Sequence, residues 1–519
     1  MATPGEKLAE SLEILHKLEN EENLVAIKST RLSRTHRERL VKNGFLKEVT
    51  KGWYISSNPN ENFGDTTSWY TSFWEFSSQY LEAKYGENYS ISAEQSVLFH
   101  AGNNTVPMQL IVRAPKTSNT KIELLYNTSL FPIESSIPNT ADIITINEIR
   151  TLSLPSALIY CSPTMFKKNP TEIRTALAQI SDSSEVLQKL LDGSHTVVAG
   201  RLAGAFRNNG QTRIAEDIIK TMKSADFKIR EVDPFESKPL INLSFREKSP
   251  YANRIKLMWS EMRKIVIKHF PNEPGLPGDK KQYLESMDQI YITDAYHSLS
   301  IEKYTVSVEL IEMVRSGQWD LEENEEHRKQ KDAMAARGYY RSSLAVKSSV
   351  ENILNGSNAG KVVDQDHSDW YRELFSPSVT AGLLRVSDLA GYRTNQVYIS
   401  QSKHVPLNVA AVRDAMPILF ELLEAEKNSG VRAVLGHFIF VYIHPYMDGN
   451  GRMARFLMNV MLASGGYPWT VIPTEERETY MNSLEEASVN GNIEPFAEFI
   501  AHLVTQSLKG TPVAKIESN

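Results

Sequence analysis

The sequence predicts a multidomain chain: a small α/β unit first, an α+β middle region next, and a C-terminal half that is mainly α with one β-hairpin. Three observations carry this. A chain of 519 residues is too long for one ordinary hydrophobic core. Near Ile255 the hydrophobic pattern changes from mixed strand and helix periods to an almost wholly helical one. The extended, proline-containing stretch FESKPLINLSFREKSPYANRIKLMW lies just before that change and reads as a linker. The expected division is 1–57, 58–235, a linker over 236–254, and 255–519.

Residues 1–57 read as helices closed by a hairpin. Leu8, Leu12, Leu15 and Leu18 form a helical apolar stripe, Leu32 to Val41 is a second helical stretch, and Gly44 is placed to stop it. LKEVTKGWYI then alternates about Lys51-Gly52, as a two-stranded wing does, so the unit reads as a winged helix-turn-helix. From Lys28 to Lys51 there are eight basic residues (Lys28, Arg31, Arg34, Arg37, Arg39, Lys42, Lys47, Lys51) against Glu38 and Glu48, a local excess of eight minus two. That is either a footprint for DNA phosphates or a solvated basic face. The run STRLSRTHRERLVKNGFLKEVTKGWYI resembles the winged-helix start of abortive-infection antitoxin-type bacterial regulators. ISAEQSVLFHAG with the later SLPSALIY is similar to that family's second domain. The resemblance implies a DNA partner through residues 28–51.

Within the helical half, SGQWDLEENEEHRKQKD is too charged for a core and reads as a helix with a solvated face, and NGSNAGKVVDQDHS reads as a turn-rich connector. LAGYRTNQVYIS alternates as a short hairpin would.

Composition excludes several classes. With 57 basic and 63 acidic residues the net charge is −6, which argues against a general nucleic-acid or membrane binder. The single cysteine, Cys161, rules out an internal disulfide and a thiolate zinc clip. No apolar run reaches the roughly 18–20 residues of a membrane span. MATPGEKLAESLEILHKL is an amphipathic helix pattern without a signal-peptide core, so the expected location is cytoplasmic and no membrane partner is expected.

The chemistry concentrates in HPYMDGNGRMAR, His444 to Arg455. Apolar runs on either side, GVRAVLGHFIFVYI and RMARFLMNVMLA, have the density of buried helices. Pro445 and the turn Gly449-Asn450-Gly451 make a tight loop between them, with glycines that let backbone N–H groups converge on one point. Such a nest at a helix N-terminus binds anions. Arg452 and Arg455, three apart, project from one face of the first helical turn, where they oppose the helix dipole. A polyphosphate between nest and arginines removes that conflict. Asp448 is a hard oxygen ligand of the kind Mg²⁺ takes beside phosphates, and His444 is suited to take a proton from a hydroxyl near neutral pH. Taken singly, these residues are a cap, a turn and a solvated face.

As a set they resemble the motif of Fic-domain proteins, with Tyr446 at the usual phenylalanine. The similarity extends over the C-terminal half, through WYRELF, the AGYRTNQVYI flap and ERETYMNSLEEASVNGNIEPFAEFI. It implies transfer of AMP from ATP to a Ser, Thr or Tyr hydroxyl of a target protein, with Mg²⁺. His444 would deprotonate the hydroxyl and Asp448 would hold the metal. Asn450 and the Gly449 and Gly451 backbone would bind phosphate oxygens, with Arg452 and Arg455 on the remaining phosphates. The flap would align an extended target segment by strand addition.

YHSLSIEKYTVS is similar to the inhibitory helix of that family: Ser298 and Glu302 fit its spacing, while Lys303 stands where the family has Gly or Asn. The resemblance implies that Glu302 pairs with Arg455 and displaces the γ-phosphate. Two other functions stay open: a DNA-binding regulator whose Fic domain senses nucleotide, and an enzyme that removes AMP. Self-association is open as well.

Overall fold

The computed structural model describes residues 3–59, 65–239, 249–318 and 327–516. They form two compact units, Met1–Arg254 with Tyr398–Val405, and Ile255–Val397 with Pro406–Asn519.

In the first unit, α1 (Pro4–Asn20) opens on a reciprocal capping box between Thr3 and Glu6. β1 (Ile27–Lys28), α2 (Arg34–Lys42), β2 (Leu46–Thr50) and β3 (Trp53–Ser56) follow, with the sheet ordered β1-β3-β2 and all pairs antiparallel. Leu15 and Leu18 of the predicted stripe enter one buried cluster with Ile27, Leu32, Leu40 and Leu46. Next comes α3 (Thr67–Tyr85), then β4 (Ser90–Ile91), α4 (Ala93–His100), β5 (Gln109–Ala114), β6 (Ile122–Glu123) and β7 (Ser129–Glu134). These four strands are ordered β4-β5-β7-β6, with β5 and β7 parallel. The hairpin of β8 (Ile143–Ile146) and β9 (Ile149–Leu152) leads to α5 (Leu154–Tyr160), α6 (Met165–Lys168), α7 (Pro170–Ala178), α8 (Ser184–Asp192), α9 (Thr196–Asn208) and α10 (Thr212–Ser224). Phe166, Leu177, Leu202 and Phe206 sit in the core these helices share. The segment Tyr398–Val405 belongs to this unit: the Val106 N–H donates to the Lys403 carbonyl at 3.0 Å, and the Gln401 N–H to Thr67 Oγ1 at 3.2 Å.

The second unit is helical. α11 (Pro250–His269) begins at the boundary, followed by α12 (Lys280–Ile301), α13 (Val308–Ser316), α14 (His327–Leu354), α15 (Ala359–Thr380), α16 (Val409–Ala425), α17 (Ser429–Ile443), α18 (Asn450–Ala463), α19 (Arg477–Asn490) and α20 (Glu494–Leu508). α14 packs on α15, α15 on α16 and α17 on α18. The last two are buried almost all round, which their apolar density requires.

Two segments differ from the sequence reading. The connector expected over 355–368 is helical from Ala359, because Asn358 accepts the Lys361 N–H as an N-cap and the apolar Val362 and Val363 turn inward, with His367 buried beside them. The hairpin expected in LAGYRTNQVYIS carries no strand ladder; it is a loop in which the Arg393 side chain donates to the Asn395 carbonyl and, beyond the stretch, to that of Leu407. Within the charged run at 316–332, positions 319–326 lie outside the described residues, as do 240–248 of the linker.

Candidate active site

The site is built where α17 stops and α18 starts. α17 ends because His444 takes a left-handed conformation, φ +54, directly before Pro445. α18 starts behind Gly449, at φ +80, where a Cβ would also lie 2.7 Å from the Phe375 ring. The turn between them is closed by Asn450, whose Oδ1 accepts the Tyr446 N–H and whose Nδ2 donates to the Tyr446 carbonyl, both at 2.9 Å. Its side chain is therefore spent on the loop, and its backbone is what remains for an anion. Tyr446 is 1% exposed and stacks on Tyr371, ring centroids 3.8 Å apart and planes 7° from parallel. The tyrosine ring fills the apolar position, and its hydroxyl is buried with it.

His444 has one ring nitrogen committed. Nδ1 lies 3.2 Å from the Val441 carbonyl, which can only accept, so the proton belongs on Nδ1 and the Nε2 lone pair is left over. Burial, joined by the positive charge of Arg393, pulls the imidazole pKa down to about 4, against the Val441 bond and the Glu302 and Asp448 carboxylates. The ring is neutral at physiological pH.

Both arginines are buried, Arg452 at 1% and Arg455 at 4% exposure. Arg452 lies between two rings, its guanidinium carbon 5.1 Å from the centroid of Tyr304 and 5.0 Å from that of Phe375. One of its terminal nitrogens is 3.5 Å from Asp448 Oδ2. Asp448 is otherwise open to solvent, with Oδ1 accepting the Gly449 N–H at 2.6 Å. Arg455 donates from Nε to Ser298 Oγ at 2.9 Å, and from one terminal nitrogen to the Ser298 carbonyl at 3.0 Å and to Glu302 Oε1 at 2.7 Å. Burial alone would lower its pKa, yet the Glu302 carboxylate outweighs that and holds the guanidinium above its usual range. Two N–H groups, Arg452 Nε and the second terminal nitrogen of Arg455, are buried without a partner among the described residues. Such donors cost about 1–3 kcal/mol each when unmatched, which fits a cradle for an anion.

Glu302 caps α12, and Lys303 after it stands at φ +67. A Cβ on Gly451 would lie 2.3 Å from Glu302 Oε1 and 3.1 Å from Arg455, so the carboxylate rests directly on the glycine turn. All nine residues singled out from the sequence (Ser298, Glu302, His444, Asp448, Gly449, Asn450, Gly451, Arg452 and Arg455) therefore belong to one locality. Sequence reasoning missed Tyr304 and Phe375, which flank Arg452, and Arg393 beside His444. Each had a signal in its position: Tyr304 two residues beyond Glu302, Phe375 at the end of WYRELF and Arg393 within AGYRTNQVYI.

Residues 366–462 match the model of the Fic/DOC family. Among curated proteins, the protein adenylyltransferase Fic of Drosophila willistoni is 38% identical over 121 residues, which are 22% of this chain and 24% of that one. The protein of the same name from Drosophila virilis gives the same figures. The chain thus spans about a quarter of the length of these curated relatives. Among solved structures, Fic-1 (aa134–508) from C. elegans aligns with 66% of this chain and 87% of its own at 17% identity and a TM-score of 0.35. A Fic domain containing signaling protein from Bacteroides thetaiotaomicron aligns with 51% of this chain and 99% of its own at 20% identity and a TM-score of 0.33. The C-terminal region of this chain, with the motif from His444 to Arg455 inside it, carries a Fic domain.

Proposed function

We propose that the protein is an adenylyltransferase that moves AMP from ATP to a Ser, Thr or Tyr hydroxyl of a target protein, held in check by Glu302. The observation that carries this reading is a neutral His444 with a free Nε2 in the same loop as two buried arginines with unmatched N–H groups. Polyphosphate supplies acceptors for those donors and for the backbone of Gly449 to Gly451. Nε2 takes the proton of the target hydroxyl, the oxygen attacks the α-phosphorus, and the bond from that phosphorus to the bridging oxygen breaks with pyrophosphate leaving. Asp448 suits Mg²⁺, since its Oδ2 faces solvent beside Arg452. When bound there, the cation would offset phosphate charge.

Glu302 suits a brake because its carboxylate already sits on the glycine turn and pairs with Arg455. An anion that holds Arg455 competes with a phosphate for it and turns the α-phosphorus away from in-line attack. The test is labelling of protein by α-labelled ATP with Mg²⁺. Glu302→Gly should label well above wild type. Glu302→Asp should label between the two, because its shorter side chain still carries the charge. Adding His444→Ala to Glu302→Gly should remove about 10²–10⁴-fold of the rate while Mg-ATP still binds. Equal labelling by wild type and Glu302→Gly would end the proposed brake. No labelling by either would favour a nucleotide sensor, and release of AMP from labelled protein would favour the reverse reaction.

A further inference from the structure

Arg393 is a charged side chain at 1% exposure, and among the described residues no carboxylate pairs with it. Burial pulls its pKa down to about 10. A guanidinium buried without a counter-ion costs several kcal/mol, a cost that hydrogen bonds to its N–H groups offset. Here each of its three nitrogens donates to a backbone carbonyl. Nε donates to the His444 carbonyl at 2.8 Å, one terminal nitrogen to the Asn395 carbonyl at 3.1 Å, and the other to the Leu407 carbonyl. Its own backbone N–H donates to the Pro445 carbonyl at 2.9 Å. One residue thus gathers both ends of the segment from Asn395 to Leu407 and the first two residues of the site loop. His444 needs such a hold, since a non-glycine residue at φ +54 is strained by about 1–3 kcal/mol.

We propose that Arg393 is a positioning residue for the transfer: through its four backbone carbonyl contacts it couples the 395–407 segment, which would receive the target, to the backbone of His444. This rests on the adenylyl-transfer reading above for its consequence, although the coupling itself does not. Lysine at this place keeps the charge but offers one point donor where the fork serves three carbonyls, so it retains part of the hold. Methionine keeps the volume and retains none of it.

Two measurements decide the matter. In the full-length protein, hydrogen exchange should rise together in 395–407 and 444–446 for Arg393→Lys, and further for Arg393→Met, while α14, α15 and α18 keep their protection. In the Glu302→Gly background, Arg393→Lys should lower the labelling rate about 10-fold and Arg393→Met about 100-fold, with Mg-ATP affinity within about 2-fold of the parent. If Arg393→Met does not fold, Arg393→Lys carries both readings. Unchanged exchange in either segment overturns the coupling, as does loss of protection throughout the helices. Labelling at the parent rate, or ATP affinity falling in step with the rate, overturns the positioning role. Should the Glu302→Gly parent label nothing, the activity is what fails, and the exchange result alone upholds or overturns the coupling.

Discussion

Lys303 occupies a backbone conformation that glycine and asparagine adopt at little cost, and it follows the residue proposed as the brake. At φ +67 its Cβ crowds the carbonyl, which costs about 1 kcal/mol that glycine would not bear. The same geometry explains why the resemblance expects Gly or Asn here: the chain must turn left-handed for Glu302 to end α12 against Arg455. Lys303→Gly should therefore stabilise the fold by about 0.5–1 kcal/mol in denaturant titrations. Basal labelling should fall a few-fold, because the end of α12 that carries Glu302 is held more firmly. A variant that is more stable yet labels at the wild-type rate would separate the helix end from the inhibitory contact.

At the scale of elements, α12 places Asp294, Ser298 and Glu302 one turn apart along a single face. Asp294 is buried and accepts from the Tyr339 hydroxyl of α14 at 2.7 Å. Burial raises its pKa to about 6, against hydrogen bonds from Tyr339 and Trp469 and the charge of Arg455. On α17, His437 is fully buried with Nε2 2.8 Å from the Tyr480 hydroxyl, and burial followed by Arg455 pulls its pKa down to about 3. The two titrate stability in opposite directions. The folded state holds the proton of Asp294 more tightly than the unfolded state, so that contribution is present at low pH and lost as pH rises toward 6. Folded His437 refuses a proton that the unfolded chain accepts below about 6.5, so its contribution is lost as pH falls. Between pH 6 and 4 each has a slope approaching 1.4 kcal/mol per pH unit. Asp294→Asn should make acid destabilisation steeper and His437→Gln should make it shallower, read from urea midpoints at pH 6 and 4.5. Parallel curves for all three proteins would mean that neither group changes protonation on unfolding.

For the whole molecule, the basic stretch of the first unit has fewer directed cations than its composition suggests. Arg31 pairs with Glu22 and Arg34 with Glu38. Arg37 donates to the Ser29 carbonyl, Arg39 to the Lys7 carbonyl and Lys47 to the Tyr126 hydroxyl. Among the described residues Lys42 and Lys51 remain exposed without such a bond, and Lys28 lies over Trp53. Duplex DNA docked on this face should therefore show a log–log salt slope of about −5, the release expected from the six cations that no carboxylate pairs with among the described residues. Lys42→Glu with Lys51→Glu should flatten it further. A full-length protein with no mobility shift at low salt would assign this unit to protein docking.

What the sequence determined by itself is local. The loop from His444 to Arg455 and the two buried helices beside it were legible because their residues are neighbours in the chain, and helix period with glycine and proline placement dictates their geometry. The longer pairings were decided by tertiary structure. Glu302 and Ser298 were inferred by resemblance, but their bonds to Arg455 close 153 and 157 residues of chain. Arg393 reaches His444 across 51 residues and replaces the expected hairpin with carbonyls gathered on one guanidinium. The commitment of the Asn450 amide to Tyr446 was hidden for a related reason: a motif gives residue types, and only packing decides which atoms of each are already in use. Local spacing restricts a few torsions. Which distant arginine is drawn into the core depends on every element that closes around it.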